Sequence, residues 1–91
     1  MIIESIDFIK TAIPHIKDAE SKVMFTLSLT LKGGEYINTS FNVVGSTQEH
    51  FKEGYGENYE SHTELFALSR CLELLPEKIF AYRQKKFKRQ R

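Results

Sequence analysis

The sequence predicts a single small α+β domain built around an antiparallel β-hairpin. Three observations lead there. Apolar and polar residues alternate strictly from Lys22 to Lys32 and again after Gly33-Gly34, isoleucines recur at three- and four-residue spacing before that stretch, and leucines recur at helical spacing after it. At 91 residues the chain has room for one core. A domain of this size buries only about two-thirds of its unfolded surface, so dimerisation is a natural remedy for modest stability. With 41% apolar and 27% charged residues, the composition is that of a globular protein, not a disordered one.

The N-terminal stretch sets Ile2, Ile6, Ile9, Ile13 and Ile16 at intervals of four, three, four and three. That spacing predicts one face of a helix, started near Ser5 and Asp7 and ended or kinked by Pro14. Lys22 to Lys32 is the clearest strand: Val23, Phe25, Leu27, Leu29 and Leu31 alternate with Met24, Thr26, Ser28 and Thr30. The second strand alternates Ile37, Thr39, Phe41 and Val43 with Tyr36, Asn38, Ser40 and Asn42. A two-residue Gly-Gly loop would set Leu29 beside Asn38. A three-residue loop instead pairs Leu29 with Ile37 and Phe25 with Phe41, giving one continuous apolar face. We therefore expect a three-residue turn with a left-handed glycine beside a bulge. The sheet has room for a third short strand, and its other face is Thr, Ser and Asn with almost no charge.

Residues 45–60 are less regular. Ser46-Thr-Gln-Glu49 has the form of a capping box and predicts a short helix through Phe51, broken by Gly54 and Gly56. Phe51, Tyr55 and Tyr59 are expected to close over the core edge or, with Glu49, Glu53 and Glu57, to form a partner-binding surface. Ser61-His-Thr-Glu64 is a second capping box ahead of the strongest helix. Leu65, Leu68, Leu72 and Leu75 form its apolar stripe, supported by Phe66, Cys71 and Leu74. Pro76 either kinks this helix or begins another. Residues 1–82 are thus expected to form the α+β domain, with a C-terminal amphipathic helix on one sheet face. Residues 83–91 follow as a basic, helical tail.

The net charge of +1 hides a division. The tail carries Arg83, Lys85, Lys86, Lys88, Arg89 and Arg91 with no acid, whereas residues 1–82 hold seven basic residues against twelve acidic ones, a net of −5. Phe87 lies within the basic run. A solitary cysteine, Cys71, excludes an intrachain disulfide, and no apolar stretch approaches the roughly 18 residues of a membrane helix. The start of the chain lacks the form of a signal peptide, which makes the cytoplasm the simplest location and a membrane partner unexpected.

No catalytic set is complete. His62-Thr-Glu64 has the His-x-Glu form of zinc-dependent nucleoside deaminases, but no Pro-Cys-x-x-Cys follows it. Glu64-Leu65-Phe66-Ala67-Leu68 resembles the first helix of the ribonuclease H fold, yet the strand through Val23–Leu31 has no Asp for two-metal chemistry. A helix–strands–helix order is that of double-stranded-RNA-binding domains, which are basic where this chain has Glu57, Glu60 and Glu64. His15, His50, His62 and Cys71 fit no zinc spacing, and Lys32-Gly33-Gly34 belongs to the turn rather than to a phosphate loop. Neither a metal nor a cofactor is expected.

These absences leave three expectations. The first is a non-enzymatic binding or regulatory protein that occupies a protein or nucleoprotein partner. Its size and Ile/Lys/Phe/Tyr-rich composition are common among inhibitors made by phages and mobile elements, anti-CRISPR proteins among them; this likeness is one of style and singles out no family. The second is RNA or DNA binding by Arg83, Lys85, Lys86, Phe87, Lys88, Arg89 and Arg91. The third is a self-associating subunit, a homodimer in the simplest case. There the basic tail would meet residues 49–60 of another copy, in which Glu49, Glu53, Glu57 and Glu60 outnumber Lys52.

Overall fold

The computed structural model describes residues 2–14 and 21–89, with side chains as far as residue 85. The chain runs β1 (Ile3–Ile13), β2 (Lys22–Leu31), β3 (Tyr36–Val44), α1 (Gly45–Tyr55), a 3-10 turn at Gly56–Asn58 and α2 (Tyr59–Arg89). The strands form one antiparallel sheet in the order β1-β2-β3, so the fold is α+β with β2 central. The central position suits β2, because its alternate residues Phe25, Leu27, Leu29 and Leu31 are all buried.

The β2–β3 register is the one a three-residue loop requires, with Leu29 opposite Ile37 and Phe25 opposite Phe41. Leu31 and Glu35 close the loop through a 2.8 Å main-chain hydrogen bond. Both Gly33 (φ 100°) and Gly34 (φ 86°) occupy positive-φ conformations that a side chain would strain.

The expected N-terminal helix is instead a strand. β1 pairs antiparallel with β2, setting Ile6 opposite Leu29 and Phe8 opposite Leu27, while Ile9 faces Thr26 and Ile13 faces Lys22. The isoleucines are therefore divided between the two sheet faces and do not form a single helical stripe. Isoleucine and threonine are stiff at Cβ and fit a pleated surface better than a helix. Pairing with β2 also satisfies the main-chain groups of β1 that face it. Pro14 follows the last strand residue, where it limits a strand as readily as a helix. Ile16 and His15 lie outside the described residues.

α2 packs across β2 and β3. One cluster joins Phe25, Val43 and Ala67, with Val23 and Phe41 against it. The other joins Leu29, Leu31 and Ile37, covered by Leu75, Ile79 and Tyr82. The residues of α2 that touch the sheet most closely are small: Thr63, Ala67 and Cys71, four apart and all buried. Their size lets the helix approach the strands, and polar atoms at the contact are satisfied. Thr39 Oγ1 donates to the Cys71 carbonyl (3.0 Å), Thr63 Oγ1 donates to the Tyr59 carbonyl (2.7 Å), and the Cys71 thiol points at the Phe25 carbonyl (3.8 Å).

Two local expectations are also corrected. α1 begins at Gly45 with no side-chain cap and continues through Gly54, ending at Gly56 (φ 57°). α2 begins at Tyr59, so Ser61 and Glu64 stand within its first turns and do not form a capping box. The helix is continuous past Pro76 and runs to Arg89, so the basic run extends the helix.

Candidate docking surface

Because α2 lies over β2 and β3, the same face of β1 is left open by the described residues. A register shift between Ile3 and Ser5 brings Ile3 opposite Leu31. Ile3, Ile6 and Phe8 therefore all point to the helix side of the sheet, yet they are exposed, Ile6 to 63%. Phe8 is anchored by stacking on Phe25, with ring centroids 5.5 Å apart.

The facing flank of α2 is equally apolar. Leu65, Leu68 and Leu72 follow one stripe at three- and four-residue spacing. Leu65 is 63% exposed and Leu72 51%. Phe8, Ser61, Glu64, Leu65 and Leu68 line an open groove of about 330 Å³ between strand and helix. Lys10 reaches across from β1 to Glu64 (Nζ–Oε1 4.0 Å). Both partners are about half exposed, so this pair orients more than it stabilises. The largest apolar patch on a typical monomer spans about 300–600 Å². Here five large side chains, Ile3, Ile6, Phe8, Leu65 and Leu72, are exposed together on one side of the molecule.

Of the expected stripe of Leu65, Leu68, Leu72 and Leu75, only Leu75 packs on a core cluster, and the supporting Cys71 is buried, while Leu65 and Leu72 are exposed. In the fold the core face runs through Thr63, Ala67 and Cys71 and on to Leu75 and Ile79, so its first two turns are small side chains that bury little area each. The available signal was that repeat of small residues every fourth position, which points to close helix–sheet contact and turns Leu65 and Leu72 outward.

The surfaces singled out from the sequence are arranged differently. Phe51 packs on Phe66 (5.5 Å) and Tyr55 (5.8 Å), and Phe66 meets Phe41 edge-on (5.6 Å). Tyr55 stacks on His62 at 3.8 Å, and Arg70 lies over both the Phe41 and Phe66 rings. These aromatics close the β3 side of the core, with Tyr55 itself still 48% exposed. Tyr59 is half-buried beneath Lys52. Glu49 accepts a hydrogen bond from Lys52 (3.2 Å), which holds the Lys52 ammonium above its usual pKa. Glu53 and Glu57 are exposed. Arg83 and Lys85 project from the exposed end of α2, while the side chains of Lys86, Phe87, Lys88, Arg89 and Arg91 lie outside those described.

The second sheet face carries Thr26, Ser28, Thr30, Asn38, Ser40 and Asn42, with Thr26 and Ser40 hydrogen-bonded to each other (3.2 Å). No described element packs on it. Among the described residues no group of three or more His, Cys, Asp or Glu could hold a metal ion. No described helix is long and apolar enough to cross a membrane. No protein-family model, no curated protein and no solved structure matches the chain.

Proposed function

We propose that this chain is a non-enzymatic binding protein that acts by occupying a protein partner, and that it docks through the β1–α2 groove. The observation that carries this reading is the joint exposure of Ile6 and Phe8 on β1 and Leu65 and Leu72 on α2. Apolar area of this extent gains free energy, at about 25 cal/mol per Å², once a partner covers it. The groove has a polar rim in Lys10, Ser61 and Glu64, the form of interface in which an apolar centre supplies affinity and the rim supplies orientation. An inhibitor of the phage or mobile-element kind works in this way, by occupation without chemistry.

The test is capture from a host lysate with three baits. The native chain is expected to retain a stoichiometric protein. Leu65→Asp, placed where the side chain is already exposed, is expected to reduce that yield at least tenfold while leaving the fold intact. A chain ending at Tyr82 is expected to capture as well as the full chain. Equal yields from the native and Leu65→Asp baits would overturn the assignment of the groove.

A second reading, nucleic-acid binding by the C-terminal basic run, is supported by the continuation of α2 to Arg89, which carries Arg83 and Lys85 clear of the sheet. Cations at this position also suit the negative end of the helix dipole without any ligand. Six charges displace at most six counterions, so a log–log plot of affinity against salt should slope no more steeply than roughly −5. In a mobility-shift titration the chain ending at Tyr82 should lose this binding entirely. Equal binding by both chains would remove the tail from consideration.

A further inference from the structure

We infer that two copies of this chain pair antiparallel along the free edge of β1, on a two-fold axis at Phe8, and form one six-stranded sheet. This goes beyond the groove assignment and rests on a different part of β1, its main chain.

The direction of that main chain follows from two hydrogen bonds. Leu31 N–H donates toward β3, to Glu35, whereas Lys32 N–H donates to the opposite side, to Ile2 (2.9 Å). Alternation along an antiparallel ladder then points the main chain of Ser28 and Thr26 at their partners Asp7 and Ile9. The N–H and C=O groups of Ile6, Phe8 and Lys10 are turned to the other edge, on which no described strand pairs. β1 presents such an edge over 11 residues, about 37 Å at strand rise. Long edges are normally blunted by charge, proline or short length. β1 carries Glu4, Asp7 and Lys10, but its centre also bears exposed Ile6 and Phe8 on one face and exposed Ile9 on the other. The other edge strand, β3, buries Ile37, Thr39 and Val43 and shows mainly Asn and Ser, so β1 is the edge with more to gain by pairing.

The register selects a second copy as the occupant. Strand Ile3–Ile13 is centred on Phe8, so full overlap of two copies places Phe8 opposite its symmetry mate. In that register Ile6 faces Lys10, Asp7 faces Ile9 and Glu4 faces Ala12, and no two like charges are opposed. A shift of the axis by one residue to Asp7 would oppose two carboxylates, which is destabilising. The two-fold also sets the two α2 helices antiparallel. The acidic start of one, with Glu60 and Glu64 and with Glu57 in the turn before it, then lies at the same end of the assembly as the basic end of the other, with Arg83 and Lys85. The exposed Ile6 and Phe8 of both copies become the shared floor between two grooves.

Sedimentation equilibrium of the purified full chain at about 50 μM is expected to give twice the chain mass. Lys10→Pro removes an N–H that serves only the open edge, and each dimer loses two such bonds. It should weaken association about tenfold or more, whereas Lys10→Ala, which keeps the N–H, should leave the dimer in place. Register is read by mixing Asp7→Cys chains with Ile9→Cys chains under mild oxidation. These positions are directly opposed in a non-hydrogen-bonded pair, at a Cα separation of about 4.5 Å that a disulfide accepts. The mixed disulfide is expected to predominate over either self-linked species. A monomer at this concentration, or a dimer in which Asp7→Cys links mainly to itself or neither position links, would overturn the inference. Such results leave the groove assignment untouched, because that depends on Leu65→Asp and a heterologous partner.

Discussion

A Phe25→Ala chain is expected to lose most of its stability, whereas Ile6→Ala is expected to cost almost nothing. Phe25 is 1% exposed and lies at the meeting point of three elements, packed on Val43 of β3 and Ala67 of α2 and stacked on Phe8 of β1. Truncating a buried phenylalanine removes its transfer free energy and leaves a cavity, about 3–5 kcal/mol together. Domains of this kind have roughly 5–15 kcal/mol in total. With a urea slope of about 1–2 kcal/mol/M, the midpoint should fall by about 2 M or more, or the chain should be unfolded in buffer. Ile6 is 63% exposed on β1, so its truncation should stay within about 0.5 kcal/mol. The contrast separates the observed strand from an N-terminal helix, in which Ile6 would stand on the core face. A loss at Ile6 comparable to that at Phe25 would contradict the fold.

Ala67→Leu is expected to destabilise by about 1–3 kcal/mol, although leucine is as good a helix former as any but alanine. Ala67 has no exposed surface and touches the Phe25–Val43 cluster directly. Leucine there must lift α2 off the sheet or displace Phe25. Lifting the helix would also stretch the Thr39–Cys71 hydrogen bond on the next turn. At roughly 4–8 °C per kcal/mol, thermal unfolding should come about 10 °C earlier. Leu72→Ala, on the exposed flank, should change the melting temperature little. If Ala67→Leu were neutral and Leu72→Ala costly, α2 would be packed by its leucine face and the groove would not exist.

The hairpin was legible because two signals agreed: strict alternation named the buried face, and the glycines allowed only a loop that kept that face continuous. The N-terminal element misled because an edge strand with apolar residues on both faces loses the period of two. Ile6, Ile9 and Ile13 then satisfy a helical spacing by coincidence of position, and only their branching at Cβ argued otherwise. The register shift near Glu4 further disturbed the alternation. α2 was legible as a helix but not in rotation, because Thr63, Ala67 and Cys71 carry the packing of its first half while Leu65 and Leu72 carry the hydrophobicity there. The proposed docking surface follows from both differences together. It lies where a strand taken for a helix meets a leucine stripe taken for core.

The most direct test of that surface is photo-cross-linking in cells that express the chain, with a photoreactive phenylalanine replacing Leu72 in one chain and Ser40 in another. Leu72 stands on the groove side and Ser40 on the uncovered hydroxyl-rich face of the sheet. An adduct to a heterologous protein from position 72 and none from position 40 is the expected result. Adducts from position 40 alone would place the partner on the opposite face and contradict the assignment of the groove.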